Sequence, residues 1–78
     1  MHYPEQPPAA VWDAGDIGCG ELLLSLRGRL LALPPGARIE VIARDPGAPE
    51  EMPAWCRLTG HRLLHAEHPR YTIQRKEQ

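Results

Sequence analysis

Leucine positions in the first half of the chain follow the period of an α-helix. From residue 21 onwards, apolar side chains recur at spacings of one, three, four and three residues, which places them on one helical face. They are Leu22, Leu23, Leu26, Leu30 and Leu33. Arg27 and Arg29 lie off this face, and the Pro-Pro-Gly run at 34–36 ends the pattern. We therefore predict a first helix that begins at Glu21.

Four segments carry the pattern of β-strands, and they are predicted at residues 11–14, 38–44, 61–67 and 71–76. The second is the clearest, because its side chains alternate between two faces. Ile39 and Val41 lie on one face, while Glu40 and Ile42 lie on the other. This alternation predicts a strand with one fully buried face and one partly buried face.

A second helix is predicted over residues 50–59. Glu50 and Glu51 suit its first turn, where the helix dipole favours negative charge, and Gly60 ends it. The order of elements is then β-α-β-α-β-β. We predict an α+β fold, a two-layer α/β sandwich with two helices on one face of a four-stranded mixed sheet.

Composition and charge limit the classes of function. Hydrophobic residues make up 42% of the 78 residues and charged residues 24%, as in a globular protein. The formal net charge is -1, which argues against a general electrostatic nucleic-acid binder. Arg70, Arg75 and Lys76 make the C-terminus locally basic, and such a cluster is usually a solvated strand end.

The sequence predicts a leader followed by one domain. Residues 1–10 contain three prolines and are expected to form a disordered leader, and residues 11–78 form the domain. No apolar run approaches the roughly 20 residues that a membrane-spanning helix needs. The N-terminus also lacks the pattern of a signal peptide, so we expect a cytoplasmic protein.

Cys19 and Cys56 are the two cysteines, and no C-x-x-C pair is present. Two unpaired thiols in a reducing compartment are the expected state, without a structural metal or a cofactor. Cys56 is expected in the core, and a disulfide between the two stays open because it requires close Cα atoms. His61, His65 and His68 do not form an evident metal site.

Several short motifs together resemble the sulfurtransferase TusA family, also called SirA-like. The matching residues are Asp13 and Cys19 at a six-residue spacing, Pro35-Gly36 before the second strand, Asp45-Pro46 after it, Trp55-Cys56 and Gly60-His61 around the end of the second helix, and Lys76. The resemblance covers residues 11–76, and it implies the same two-layer sandwich.

The resemblance also implies a function. Members of this family carry sulfur as a persulfide on the first cysteine, here Cys19. They accept it from a donor protein of the cysteine desulfurase or rhodanese type and pass it to an acceptor protein. No cofactor is implied. The resemblance favours an enzyme, a sulfurtransferase that relays a persulfide, and leaves open whether this chain is one.

The active loop departs from the family pattern. The family motif is Cys-Pro-x-Pro, and here it is Cys19-Gly20-Glu21-Leu22. Gly20 lacks the preorganisation that proline gives the first turn of a helix. Glu21 and Asp16 are expected to raise the pKa of the thiol through their negative charge. We therefore expect Cys19 to be less activated than in members with the full motif.

Two interpretations of function follow. The first is a sulfur carrier or sulfurtransferase in which Cys19 is the catalytic residue, with Asp13, Gly20, Glu21 and Arg27 as residues that shape the loop or contact a partner. The second is a non-catalytic interaction or regulatory module that keeps the fold without sulfur transfer. The missing prolines favour the second, and the presence of Cys19 favours the first.

Overall fold

Six elements follow the order β-α-β-α-β-β in the computed structural model, which describes residues 8–77. They are β1 (Ala10–Gly15), α1 (Cys19–Leu31), β2 (Arg38–Ala43), α2 (Ala48–Thr59), β3 (Arg62–Glu67) and β4 (Arg70–Gln74). The strands form one mixed sheet, and both helices contribute to the core that covers it. The predicted two-layer α/β sandwich is confirmed.

The sheet has the strand order β1-β2-β4-β3. β1 and β2 pair in parallel, joined by α1, whereas β4 runs antiparallel to both of its neighbours. Because β1 and β2 are parallel, their carboxyl ends lie at the same edge of the sheet. The segment that leads into α1 therefore lies beside the segment that leads into α2.

The core lies between the sheet and the two helices. On β2, Ile39, Val41 and Ala43 are buried while the alternate positions are half-buried, as the sequence predicted. α1 and α2 add side chains at helical spacing to the same apolar cluster. Its buried members are Ala14, Leu22, Leu26, Leu30, Ile39, Val41, Ala43, Ala48, Met52, Cys56, Tyr71 and Ile73.

α1 begins two residues earlier than predicted. Gly18 is its N-cap, and the backbone of Gly18 is extended, with φ -71° and ψ 161°. The Gly18 carbonyl accepts a hydrogen bond from the Leu22 N–H at 2.8 Å, so helical bonding includes Cys19. Leu33 lies beyond the end of the helix, where the chain turns, and still packs against the core.

α2 also begins two residues earlier than predicted, at Ala48. Pro49 lies in its first turn, where a missing N–H costs no helical bond. Gly60 ends the helix with φ +89°, and its N–H donates to the Cys56 carbonyl at 2.9 Å, as expected for a glycine C-cap. Pro53 lies inside the helix.

The predicted leader falls largely on residues 1–7, which lie outside the described residues. Ala10 already belongs to β1, where it pairs with Ile39. None of the helices in the described part of the chain is long and apolar enough to cross a membrane.

Candidate functional site

Cys19 lies at the edge of the sheet where the segments after β1 and β2 meet. It is the first residue of α1, and its side chain is partly buried. Its Sγ donates a hydrogen bond to Oδ2 of Asp45, which follows β2, at 3.0 Å. A thiol at a helix N-terminus is therefore paired directly with a carboxylate from the neighbouring segment.

Asp45 is held in place by the turn that starts α2. Its Oδ2 also accepts the N–H of Gly47 at 2.9 Å, and its backbone carbonyl accepts the N–H of Ala48 at 3.0 Å. Aspartate often forms such a turn because its short side chain reaches the backbone two residues on. The hydrogen bonds from Cys19 and Gly47 lower the pKa of Asp45, so the carboxylate is ionised at neutral pH.

Because Gly47 has no side chain, there is room beside it for the Cys19 thiol and the Asp45 carboxylate. A Cβ at this position would lie 3.0 Å from Asp45 Oδ2 and 3.5 Å from Cys19 Sγ. The backbone of Gly47 is in the ordinary helical region, with φ -81°, so the limit here is space and not conformation. A larger residue would push against the carboxylate that binds the thiol.

The surroundings of Cys19 disfavour its thiolate form. Burial is the largest cause, followed by the hydrogen bond to Asp45 and the negative charges of Asp45 and Glu51, and together they raise the pKa of Cys19 to about 11. The ordinary value is 9.0, so the resting thiol is protonated at neutral pH. The acidic residues responsible are Asp45 and Glu51, whereas the sequence analysis named Glu21 and Asp16.

Tyr71 and His68 lie next to this pair. The Tyr71 hydroxyl and His68 Nδ1 share a hydrogen bond of 2.6 Å, and the Tyr71 side chain is buried. Burial raises the pKa of Tyr71, and the charge of Cys19 adds to this effect. The charge of His68 in turn contributes to the lowered pKa of Asp45. The β3–β4 turn is held at the end of β2 by the Ala43 N–H, which donates to the Pro69 carbonyl at 2.8 Å.

The structure places Asp13 in a different set of contacts. Its carboxylate pairs with Arg44 at 2.7 Å and accepts the N–H of Gly15 at 2.9 Å. These bonds hold the end of β1, where the register with β2 shifts between Asp13 and Gly15. The Asp13 carboxylate therefore holds the segment before Cys19 through Arg44 and Gly15.

Gly20, Glu21 and Arg27 are exposed on α1. Gly20 has open space where a side chain would be, so neither packing nor a positive φ requires glycine there. Arg29, on the same helix, places its guanidinium 4.1 Å from the centre of the Trp12 ring. Arg29 therefore packs on β1, while the roles of the other three residues stay predictions.

The remaining cysteine and histidines do not join Cys19 in a metal site. Cys56 is buried in the core, and both cysteines are free thiols. Burial raises the pKa of Cys56 to about 11. His61 binds the backbone of Lys76, and His65 contacts Glu67. Across the described residues, no group of three or more His, Cys, Asp or Glu side chains could hold a metal ion.

The sequence analysis missed Asp45, Gly47 and Tyr71 as neighbours of Cys19. One signal was present for Asp45, because strands joined by a helix usually run in parallel and then share a carboxyl edge. A cysteine after β1 and an aspartate after β2 meet at that edge. Tyr71 carries no local signal, since its place depends on how β4 pairs with β2.

Comparisons with known proteins show the family of the chain. Residues 12–75 match the family described as Sulfurtransferase TusA. A protein named Sulfur carrier protein TusA from Pseudomonas fluorescens (strain SBW25) is 34% identical over 65 residues, which are 82% of this chain and 78% of the relative. A protein of the same name from Pseudomonas putida (strain GB-1) is 35% identical over 60 residues, 77% of this chain and 75% of the relative. This chain therefore belongs to the TusA family of sulfurtransferases.

Proposed function

We propose that this chain is a sulfur carrier that holds sulfur as a persulfide on Cys19. The observation that carries the proposal is the hydrogen bond of 3.0 Å from Cys19 Sγ to the fixed carboxylate of Asp45 at the start of α1. Membership of the TusA family and the similarity to proteins named sulfur carriers support it. The donor is a protein of the cysteine desulfurase or rhodanese type, and the acceptor is a second protein.

The transfer requires that the Cys19 proton leaves as the sulfur attacks. Asp45 Oδ2 accepts this proton in a hydrogen bond, but its lowered pKa makes it a poor base, so the proton passes to the departing donor thiolate. Cys19 Sγ attacks the outer sulfur of the donor persulfide, a new S–S bond forms, and the donor S–S bond breaks. The donor thiolate leaves and takes up the proton. The exchange needs no external oxidant or reductant.

The high pKa of Cys19 gives the carrier a protected resting state. Thiolates, and not thiols, react with oxidants, so a thiol with a pKa of about 11 is largely inert until a donor persulfide is bound. The loaded sulfur lies about 2 Å beyond Sγ. Its negative charge is then favoured by the free N–H groups at the start of α1.

The other predicted residues have supporting roles in this proposal. Asp13 shapes the segment before Cys19 through its bonds to Arg44 and Gly15. Gly20, Glu21 and Arg27 lie exposed on α1, where a donor or acceptor protein would approach, and Arg27 suits an acidic partner surface. The functional domain covers residues 11–78, uses no cofactor and works in the cytoplasm, where both thiols stay reduced.

A second candidate function is an interaction or regulatory module without sulfur transfer. The observation that favours it is the combination of a raised thiol pKa with the loss of both motif prolines at Gly20 and Leu22. In that case the bond between Cys19 and Asp45 is a structural contact between the starts of α1 and α2.

Intact-mass spectrometry separates the two functions. The protein is incubated with a cysteine desulfurase and free cysteine, beside Cys19→Ser and the matched thiol variant Cys56→Ser. We expect a gain of one sulfur atom that is removed by reductant in the wild type and in Cys56→Ser, and no gain in Cys19→Ser. No gain in any folded variant, with a Cys-Pro-x-Pro relative loaded in parallel, supports the interaction module.

A further inference from the structure

A basic cavity lies at the end of the sheet opposite Cys19. Its volume is about 370 Å³, and its walls are formed by Gly60, Arg62, Gln74, Arg75, Lys76 and Glu77. Gln74 pairs with Arg38 at the start of β2, while Asp45 follows the end of that strand. At about 3.3 Å per residue, the cavity is roughly 20 Å from the thiol site. It is thus a separate feature of the molecule.

The basic segment after β4 is fixed in place and is not a loose strand end. The Lys76 N–H donates to His61 Nδ1, and Lys76 Nζ donates to the Thr59 carbonyl, both at 3.0 Å. Gly60 allows this approach, because a Cβ there would lie 3.4 Å from Lys76 Cδ. Lys76 is exposed, as expected at a solvated strand end, and both its backbone and its ammonium group are hydrogen bonded.

The cavity has more positive charge than its own residues neutralise. Three cationic residues and one acidic residue, Glu77, line it. Arg75 donates through Nη1 to the Leu33 carbonyl, but its Nε–H is buried and has no hydrogen-bond partner among the described residues. Arg62 is exposed and makes no ion pair within residues 8–77.

The positive charges of Lys76 and Arg75 also act on the His61 side chain. Its side chain is buried against Trp55, with the ring centres 5.6 Å apart. Burial lowers the pKa of His61, and the charges of Lys76 and Arg75 lower it further. Because Nδ1 accepts the Lys76 N–H, the neutral ring carries its proton on Nε2. An anion in the cavity would offset the two cations and favour protonation of this ring.

We propose that the cavity binds the tetrahedral oxyanion of a phosphate or sulfate group through Arg62, Arg75 and Lys76. Guanidinium and ammonium groups are the side chains that bind such anions, and arginine does so with two parallel hydrogen bonds. The volume is at the lower end of small-molecule sites, so either a free anion or a phosphomonoester fits. Glu77 weakens the binding by repulsion.

Amide chemical shifts from NMR spectroscopy test the proposal on the full chain. Inorganic phosphate, sulfate and adenosine monophosphate are titrated in turn, against sodium chloride at matched ionic strength. We expect saturable shifts at His61 and Lys76 with the oxyanions and none with chloride. Tighter binding of adenosine monophosphate than of phosphate identifies a phosphomonoester ligand, and equal binding identifies the free anion. Shifts that match those in chloride overturn the proposal.

Charge variants show whether the named residues hold the anion. Arg62→Gln should weaken phosphate binding about two- to fivefold, the range for loss of one exposed ion pair, and Glu77→Gln should tighten it. Arg57→Gln removes an exposed charge from α2 and is the matched control that should change nothing. Equal weakening by the Arg57 and Arg62 variants contradicts the proposal, because it indicates nonspecific attraction.

Two further readouts isolate the cavity from the thiol. The pKa of His61, followed by its ring resonances, should rise when phosphate is added and should not rise in matched chloride. Cys19→Ser should bind phosphate as the wild type does, since the cavity is far from residue 19. Loss of persulfide loading would therefore leave this proposal standing, and an unchanged His61 pKa in saturating phosphate would refute it.

Discussion

Replacement of Asp45 by Asn tests how the structure controls the thiol. Asn keeps the shape of the side chain, and its oxygen still accepts the Gly47 N–H that holds the turn. The substitution removes the negative charge beside Cys19 Sγ and the carboxylate that accepts its proton. Because both effects raise the pKa of Cys19, the variant should have a lower thiol pKa.

The magnitude follows from the pKa of Cys19. With a pKa of about 11 in place of 9.0, the thiolate fraction at neutral pH is about a hundredfold smaller than for an ordinary cysteine. Burial is the largest cause and remains in the variant, so we expect about tenfold of this loss to be recovered. A less basic thiolate is about threefold less nucleophilic, which leaves a net gain of about threefold in rate.

Iodoacetamide labelling of Cys19 across a pH series measures this change. The rate at neutral pH should rise about threefold in Asp45→Asn, and the midpoint of the pH–rate profile should move to lower pH. Glu21→Gln is the matched control, because it removes an exposed charge from α1 near Cys19 in sequence. An unchanged or slower rate in Asp45→Asn, or an equal gain in Glu21→Gln, would show that Asp45 does not raise the pKa of Cys19.

Three further predictions concern stability. Cys56→Ala removes a buried sulfur and should cost about 1–2 kcal/mol of unfolding free energy in urea titrations, whereas a cost near zero would mean that the site is loosely packed. Folding lowers the pKa of His61 below 6.5, so the unfolded chain binds the proton more readily. The free energy of unfolding should therefore be highest above pH 6.5 and decrease as the pH falls below it. Urea midpoints at about pH 7.5 and about pH 5.5 should differ in the wild type and differ less in His61→Gln. Gly60→Ala should lower the free energy of unfolding by about 1–2 kcal/mol, because φ of Gly60 is +89°. Gly28→Ala, on an open helix surface, should raise it by up to about 1 kcal/mol. Equal effects of the two variants would contradict a role for the positive φ of Gly60.

The elements with a strong hydrophobic period were predictable from the sequence. The leucines of α1 and the alternation around Val41 both report which face is buried, and the structure buries those faces. Helix starts were less predictable, because Gly18 caps α1 without a side-chain hydrogen bond. Gly20 has low helix propensity, which hid the first turn of α1 in the sequence.

The site was predictable only in part. Cys19 stands out between two glycines, but its partner Asp45 is 26 residues away and meets it through the parallel pairing of β1 and β2. The neighbours Tyr71 and His68 arrive from the far end of the chain through antiparallel pairing with β2. Local sequence rules describe helices and strands, whereas these contacts depend on strand order.

The most direct test of Cys19 as the sulfur carrier is to locate the sulfur after loading. The protein is treated with a cysteine desulfurase and free cysteine, alkylated, digested and analysed by peptide mass spectrometry. We expect one added sulfur on the peptide that contains Cys19 and an unmodified Cys56 peptide. Added sulfur on Cys56, or on neither peptide while a Cys-Pro-x-Pro relative is loaded under the same conditions, would contradict the assignment of Cys19 as the carrier.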